Sequence, residues 1–396
     1  MPLTYLHIDC NTYFASCEVA TNPELEGKPV IVANDNENGG GIILALTPEA
    51  KALGLKRGIP LFQVRNLLKA NHVEICQVDH KKYRRISRTI MDAVKQQDIV
   101  QDFVQYSVDE FFGTLPLTNP DELRHYAKIV KDLIWDTSHI PVSCGLSQSY
   151  TLAKAATHFA KHYTGYQGIC VLMPENRERA LSMLDIADIW GIGRKNRQKL
   201  YDKGIHTAQE FVQYPENKLQ QIFSVTGLNT WRELQGIPCI DLHRPARQRS
   251  IMQSRTFAYM TESCDQLEED IRTFATVCAA KLREQQSVCR QVTVFLSTNR
   301  HRDDLDQYRN SGAIRLQAHT SDTPTIVKAA IAALHQLYRP GFLYKQAGVI
   351  LNDITDAQGL QLDLFSEPQD ERHRKLMHIA DAINQKFGDD TINFGK

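Results

Sequence analysis

Hydrophobic and polar positions follow two periods in the first part of the chain. Short apolar or alternating runs, such as Leu3–Ile8 and Pro141–Leu146, predict strands. Apolar positions spaced by three and four residues predict amphipathic helices near Lys82–Lys95, Asp121–Thr137 and Leu152–Lys161. A small insert with strands at 30–33 and 42–46 interrupts this series. Strands and helices mixed in this way indicate an α+β fold.

The pattern changes along the rest of the chain. Residues 166–240 are helical and compact, and residues 241–247 have the composition of a linker. After the linker, strands and helices are predicted in the order β-α-β-β-α-β, at Ser250–Ala258, Ser263–Glu284, Gln291–Ser297, Gly312–Gln317, Thr323–Leu337 and Tyr344–Leu351. Residues 355–396 are polar and acidic, and we expect a flexible tail there.

Composition limits the class of protein. The chain is formally neutral, with 46 Lys and Arg against 46 Asp and Glu. Residues 244–354 contain 15 basic and 11 acidic residues, a net of +4, and residues 355–396 contain 5 and 8, a net of −3. The basic charge is thus partly segregated. No long apolar run or signal pattern is present, and nine cysteines without a C-x-x-C pair argue against zinc and disulfides. We expect a cytoplasmic protein.

Three carboxylates stand at the ends of strand-like apolar runs. Asp9 follows the first predicted strand, and Asp109 and Glu110 precede Phe111-Phe112. Each acid alone is compatible with a residue that merely caps a strand. Together they would offer hard oxygen ligands suited to Mg²⁺, and two such ions can clamp the oxygens of a phosphoryl transfer. Neighbours in a regular strand face opposite sides, so Asp109 and Glu110 share one site only if they lie at a bend.

Several motifs resemble the Y-family DNA polymerases, and in particular their UmuC branch. They are Asp9 with the aromatic pair that follows it, Ala15-Ser16-Cys17-Glu18, Gly27-Lys28-Pro29-Val30, Glu49-Ala50-Lys51-Ala52-Leu53-Gly54 and Ser107-Val108-Asp109-Glu110. Their order and spacing match from near Met1 to about Asp353. The resemblance implies a right-hand polymerase architecture. Its parts would be a palm (1–20 and 75–165), small fingers (21–74), a helix–hairpin–helix thumb (166–240), a linker (241–247), an α/β little finger (248–354) and a flexible C-terminal tail (355–396).

The resemblance also implies a function and a metal site. It implies an error-prone, DNA-directed DNA polymerase that performs translesion synthesis in an SOS-type damage response. Asp9, Asp109 and Glu110 would hold two Mg²⁺ ions, with the backbone carbonyl of Cys10 as a further ligand. Phe14 occupies the position of the steric gate, which excludes a 2′-hydroxyl and is usually tyrosine in the UmuC branch.

Nucleotide contacts follow the family pattern only in part. Lys161 matches the lysine that contacts the triphosphate, although a solvated surface lysine would fit the sequence too. Lys51 falls where many members have arginine. Pro48 replaces an aromatic residue of other branches, and Leu46 replaces an arginine usual in UmuC-like chains. We therefore expect either low nucleotide affinity or a different grip on the triphosphate.

Two segments resemble DNA-binding features. Gly191, Ile192 and Gly193 resemble the turn of a helix–hairpin–helix, whose backbone N–H groups bind DNA phosphate without reading sequence. An ordinary corner between core helices is the alternative. Arg300 and Arg302 lie in a predicted loop between strands, a suitable place for phosphate contacts.

The tail contains Gln361-Leu362-Asp363-Leu364-Phe365, which matches the bacterial sliding-clamp-binding pattern. Gln361, Leu362, Leu364 and Phe365 would be the contact residues, since exposed Leu and Phe need a partner's groove. A short strand packed on the little finger is the alternative. The resemblance further implies primed template DNA, deoxynucleoside triphosphates, UmuD-type accessory subunits and RecA as partners. UmuC-like chains usually continue further, so we expect a shortened or trimmed end.

Two other functions fit parts of the sequence. One is a catalytically weak DNA- and clamp-binding scaffold of the damage response, against which the retention of three acids argues. The other is a specialised nucleotidyl transferase that inserts mainly one base. No large insertion is present that would supply a protein template, which disfavours this second alternative.

Overall fold

The computed structural model describes residues 3–34, 41–243, 247–357, 371–387 and 392, in two units divided at residues 245 and 246. The elements of the first unit are β1 (Thr4–Cys10), α1 (Tyr13–Thr21), β2 (Val30–Ala33), β3 (Ile43–Leu46), α2 (Pro48–Ala52), α3 (Leu61–Ala70), β4 (Glu74–Gln77), α4 (His80–Gln96), β5 (Gln101–Gln105), β6 (Glu110–Leu115), α5 (Pro120–Ser138), β7 (Val142–Ser147), α6 (Tyr150–His162), β8 (Ile169–Val171), α7 (Pro174–Met183), α8 (Arg194–Tyr201), α9 (Ala208–Gln213), α10 (Glu216–Leu219) and α11 (Val225–Leu234). No helix in these described ranges is long and apolar enough to cross a membrane.

The central sheet of this unit has the strand order β5-β6-β1-β7-β8. Strand β1 is antiparallel to both β6 and β7, and β8 is parallel to β7. Leu6 and Ile8 of β1 share a core with Ile90 of α4 and Ala127 of α5. His7, between them, bonds to Thr157 of α6. Helices therefore cover both faces of β1, and this explains why none of its residues is exposed, polar ones included.

A second, three-stranded sheet forms the predicted fingers. Its order is β3-β2-β4, with β3 antiparallel and β4 parallel to β2. Strand β4 continues this sheet past residue 74, the predicted end of the fingers. Likewise, β8 belongs to the central sheet, although residues from 166 onward were predicted to belong to the thumb. Both predicted boundaries are corrected by these strand pairings.

The helical part of the unit is joined to α6 by a buried carboxylate. Glu233 of α11 is fully buried and accepts hydrogen bonds from the backbone N–H groups of Thr151, Cys239 and Ile240, at 2.8, 3.0 and 3.1 Å. The hydroxyl of Ser149, which also caps the start of α6, donates to the carbonyl of Glu233. These bonds satisfy the carboxylate without a cation and fix the first turn of α6.

The second unit is an antiparallel sheet with helices packed on it. Its elements are β9 (Ile251–Thr261), α12 (Cys264–Glu284), β10 (Ser287–Thr298), β11 (Arg309–Thr320), α13 (Thr323–Leu337), β12 (Tyr344–Asp356) and α14 (Glu371–Phe387). The strand order is β11-β10-β12-β9, and side chains of α12, α13 and all four strands form or border one apolar core. The predicted β-α-β-β-α-β order is confirmed.

Helix α14 was not predicted, since residues 355–396 were expected to be a flexible tail. Arg283 of α12, which is 4% exposed, donates to both carboxylate oxygens of Asp381 at 2.6 and 2.7 Å. Another guanidinium nitrogen donates to the carbonyl of Ser321 and the hydroxyl of Thr323. Met377 is also buried. The tail therefore contains a helix anchored to the second unit.

We expect Asp381→Ala to lower the free energy of unfolding by about 3 kcal/mol, because it leaves the buried Arg283 without its counter-ion. Urea denaturation of the full chain measures this. Asp304→Ala is the control, since Asp304 pairs with Arg302 at the surface and its loss should cost less than about 1 kcal/mol. Equal effects of the two substitutions would contradict the assigned role of Arg283.

Candidate active site

Two neighbouring strands bring the three predicted acids together. Asp9 of β1 lies directly opposite Glu110 of β6, so their side chains share one face of the sheet. The backbone N–H of Cys10 donates to the carbonyl of Asp109 at 2.9 Å, and Ser107 Oγ donates to the Asp109 carboxylate at 2.7 Å. Asp109 lies in the bend before β6. The bend required by the sequence analysis is therefore present.

One face of α6 supplies positive charge to these acids. Lys154 Nζ donates to Glu110 Oε1 at 2.6 Å, and the Lys161 ammonium pairs with the Asp9 carboxylate. Thr157 lies between the two lysines, and the spacings of three and four residues place all three side chains on the same side of the helix. Lys161 was predicted as a site residue, whereas Lys154 was not.

Burial and mutual repulsion change the acidity of Asp9. Burial has the largest effect and raises the pKa of its carboxyl, Lys161 lowers this pKa, and the charges of Glu110 and Asp109 raise it, with a net pKa of about 6. The carboxylate therefore carries a negative charge that its surroundings only partly compensate. An added cation would relieve that repulsion.

Glu110 shows the opposite shift. Burial raises its pKa, but the interactions with His7 and Lys154 outweigh burial and bring the pKa to about 2. His7 Nε2 is 3.7 Å from Glu110 Oε1, too far for a hydrogen bond, so Lys154 is the stronger influence. Burial also lowers the pKa of His7 to about 4, which keeps the ring neutral. Glu110 is therefore an anion whose orientation depends on Lys154.

The donor set fits hard divalent cations. Asp9, Asp109 and Glu110 offer carboxylate oxygens, which Mg²⁺ prefers. Burial raises the pKa of the Cys10 thiol well above its ordinary value, so its side chain is a buried apolar group and only its backbone carbonyl could serve. The three carboxylates do not yet converge within 4.8 Å. Among the described residues only Cys264, Glu268 and His335, in the second unit, do so.

Phe14 is the second residue of α1 and follows Asp9 closely in sequence. The chain turns from β1 into α1 through Thr12, whose φ of 48° is unusual for a β-branched residue. The Phe14 ring stacks on Tyr83 at 4.5 Å with an interplanar angle of 17°. Tyr83 is fully buried, and its hydroxyl donates to Glu18 at 2.6 Å. Phe14 is thus held against a fixed aromatic surface.

The predicted helix–hairpin–helix turn is well defined. Gly191 has a φ of +87°, a conformation that favours glycine, and Gly193 caps the start of α8. Ile192 between them is buried in the helical core. The turn therefore anchors a core residue, and no atom lies within 4 Å of the position that a Cβ of Gly193 would take. Binding of DNA phosphate at this turn stays a prediction.

Comparisons with known proteins agree with this geometry. The model of the impB/mucB/samB family matches residues 8–158, and the model of that family's C-terminal domain matches residues 248–364. The chain is 31% identical to the protein UmuC of Salmonella typhimurium over 98% of this chain and 92% of that one. It is 26% identical to DNA polymerase IV 2 of Halalkalibacterium halodurans over 97% of this chain and 92% of that one.

The chain belongs to the impB/mucB/samB family. A solved Y-family DNA polymerase chimera, Dbh-Dpo4(243-245)-Dbh, is similar with a TM-score of 0.68 and 21% identity, over 89% of this chain and 99% of that one. The fold is therefore that of the Y-family DNA polymerases, and the resemblance drawn from the UmuC-like motifs is confirmed.

The other predicted contact residues of this impB/mucB/samB family member are distant in sequence from the three acids. Lys51 is exposed on α2, Pro48 is the first residue of that helix, and Leu46 is buried in the core of the fingers. Arg300 is exposed, and Arg302 already bonds twice to Asp304, at 2.7 and 2.6 Å. The predicted clamp-binding residues, Gln361, Leu362, Leu364 and Phe365, lie outside the described residues.

We expect Gly191→Ala to lower the free energy of unfolding by about 1–3 kcal/mol, because the new Cβ would lie 2.7 Å from Thr230 Oγ1 in a strained backbone conformation. Thermal unfolding measures the loss. Gly193→Ala is the matched control, since its φ is −76° and no atom lies within 4 Å of the new Cβ. It should change stability by less than about 1 kcal/mol. Equal losses at both positions would refute the assignment of strain to Gly191.

Proposed function

We infer that this chain is an error-prone DNA-directed DNA polymerase that performs translesion synthesis. The observation that carries this inference is the meeting of Asp9, Asp109 and Glu110 with two lysines of α6, in a chain of the impB/mucB/samB family. A scaffold that only binds DNA has no need for such a cluster, whose charges are costly to bury. The scaffold alternative is therefore not favoured. We place the activity in an SOS-type damage response in the cytoplasm.

Template-directed nucleotidyl transfer is the reaction that these residues suit. Primed DNA and deoxynucleoside triphosphates are the substrates. Asp9, Asp109, Glu110 and the carbonyl of Cys10 are the proposed ligands of two Mg²⁺ ions, which when bound lower the pKa of the primer 3′-hydroxyl and neutralise the departing pyrophosphate. Lys161 pairs with Asp9 here, and a metal ion on Asp9 would release it for the triphosphate. A metal ion on Glu110 would likewise weaken the bond from Lys154.

Binding of the incoming nucleotide rests on few side chains. Lys51 and Lys161 are the proposed triphosphate contacts. Leu46 is apolar and buried, so it offers no polar contact in place of the missing arginine, and Pro48 offers no side-chain donor. We therefore expect nucleotide affinity to be low. Phe14, fixed against Tyr83, is the proposed steric gate.

Contacts with DNA and with other proteins complete the proposal. The Gly191–Gly193 turn is the proposed contact for backbone phosphate through its N–H groups, and the exposed Arg300 is the proposed second contact. Arg302 must first leave Asp304, which makes its contribution smaller. Residues 361–365 are the proposed sliding-clamp ligand, and UmuD-type subunits and RecA are proposed partners by family analogy alone.

Primer extension with Mg²⁺ and all four deoxynucleotides tests the activity. We expect the wild type to extend a primer and Asp109→Ala/Glu110→Ala to lose at least about 10³-fold in rate, because both ions lose ligands. Loaded sliding clamp should raise extension, and a Leu364→Ala/Phe365→Ala variant should lose only that gain. Asp132→Ala, on the exposed face of α5, is the control for an unrelated acid. A wild type that is inactive with and without clamp would leave the scaffold alternative.

The steric gate has a separate test. We expect Phe14→Ala to raise the incorporation of ribonucleotides relative to deoxynucleotides by at least about tenfold, because the ring would no longer occlude the 2′-hydroxyl. Single-nucleotide insertion with matched ribo and deoxy substrates measures the ratio. Phe62→Ala, a substitution of an exposed ring on α3, should leave it unchanged. An unaltered ratio in Phe14→Ala would reject the assignment.

A further inference from the structure

Lys154 is held between two aromatic rings as well as by Glu110. Its Nζ lies 5.4 Å from the centroid of the Tyr106 ring and 5.7 Å from that of Trp190. The two rings meet edge to face at 5.4 Å, and the Trp190 indole N–H donates to the Tyr106 hydroxyl at 3.1 Å. Both distances to the ammonium fall in the range of cation–π attraction. We call Tyr106, Lys154 and Trp190 the aromatic clasp.

The clasp also contacts the strand that carries Glu110. Phe112, two residues after Glu110 on β6 and therefore on the same face, stacks on Trp190 at 5.6 Å and meets Tyr106 at 5.5 Å. Phe112 is completely buried. Trp190 thus touches the Glu110 strand directly through Phe112 and indirectly through Lys154.

Trp190 is the residue immediately before the Gly191–Gly193 turn. Its carbonyl accepts a hydrogen bond from the hydroxyl of Thr230 of α11 at 3.4 Å. The N–H of Ile192 donates to the carbonyl of Ile189, so Trp190 lies within a hydrogen-bonded turn. A phosphate bound to the N–H groups of this turn would restrain the Trp190 backbone directly. No other described tryptophan approaches a lysine within cation–π distance.

We propose that the aromatic clasp couples DNA binding at the Gly191–Gly193 turn to the position of the Glu110 carboxylate. Lys154, Trp190 and Tyr106 are positioning residues that act through Glu110. This inference rests on the proposed polymerase function, since it assigns Glu110 to metal binding and the turn to DNA. Because coupling between two sites is reciprocal, DNA should alter the affinity for Mg²⁺ by the same factor as Mg²⁺ alters the affinity for DNA.

Tryptophan fluorescence tests the clasp without an activity assay. The chain has three tryptophans, and subtraction of a Trp190→Phe variant from the wild type isolates the emission of Trp190. We expect this emission to change when Mg²⁺ is added, because the ion would weaken the bond between Lys154 and Glu110. We expect Glu110→Gln to change the emission in the absence of Mg²⁺ for the same reason. Titrating Mg²⁺ with and without a primed duplex, at constant ionic strength, should move the half-saturation point about fivefold. An emission indifferent to Mg²⁺, DNA and Glu110→Gln would overturn the proposal.

Single-nucleotide insertion kinetics separate positioning from folding. We expect Trp190→Leu to lower kcat about tenfold and to shift the Mg²⁺ dependence, with KM for the nucleotide within about twofold of wild type. Trp190→Phe keeps the stacking ring and Lys154→Arg keeps the charge, so both should recover most of the activity. Tyr106→Phe, at an exposed ring, removes only the hydroxyl acceptor and serves if Trp190→Leu does not fold. It should give a smaller shift in the same direction.

Trp135→Leu is the matched control, because Trp135 is an exposed tryptophan of α5 outside the clasp. Its kcat and Mg²⁺ dependence should equal those of the wild type. Folded Trp190→Leu with unchanged kcat and Mg²⁺ dependence would overturn the proposal. A wild type without any primer extension would instead reject the polymerase function, and the fluorescence titration would still decide whether the clasp responds to metal.

Discussion

Repulsion among three half-buried carboxylates is the constraint on which the first unit depends. Removing such charges from water costs several kcal/mol for each ion unless a partner compensates it. The chain compensates them with one helix, because α6 carries Lys154 and Lys161 two turns apart on the face that meets β1 and β6. Helix α6 must therefore be fixed both in its rotation about its own axis and in its position along that axis. Its capped first turn, bonded to Glu233 of α11, provides that fixation.

The same arrangement supplies charged oxygen ligands for the proposed cations. The two ammonium groups keep Asp9 and Glu110 charged, but the three carboxylates do not converge within 4.8 Å and would have to move before they hold a metal ion. Lys161 lies in the last turn of α6, where the helix dipole favours a positive charge and opposes its displacement. The two lysines are thus unlike in environment, one bound by aromatic rings and the other near the helix end, and this difference fits their different proposed roles.

Much of this architecture follows from local patterns, and the exceptions share a cause. Helix Thr323–Leu337 was predictable from periodicity, whereas the bend at Asp109 was a condition of the shared site that the sequence did not itself predict. Strand β8 has only three residues, and β4 is mostly exposed, whereas the equally short β2 is buried throughout and was predicted. Helix α14 depends on Arg283, 98 residues before Asp381, and Lys154 meets Glu110 and Trp190 only after folding. Contacts between distant segments leave no signal in a single sequence.

The anchoring of α14 by Arg283 makes the second unit sensitive to truncation. A proteolytic cut before Glu371 would release Asp381 and leave the buried guanidinium of α12 without its counter-ion. An uncompensated buried charge of this kind costs several kcal/mol. Part of the stability of the second unit therefore comes from residues that lie beyond its last strand in sequence.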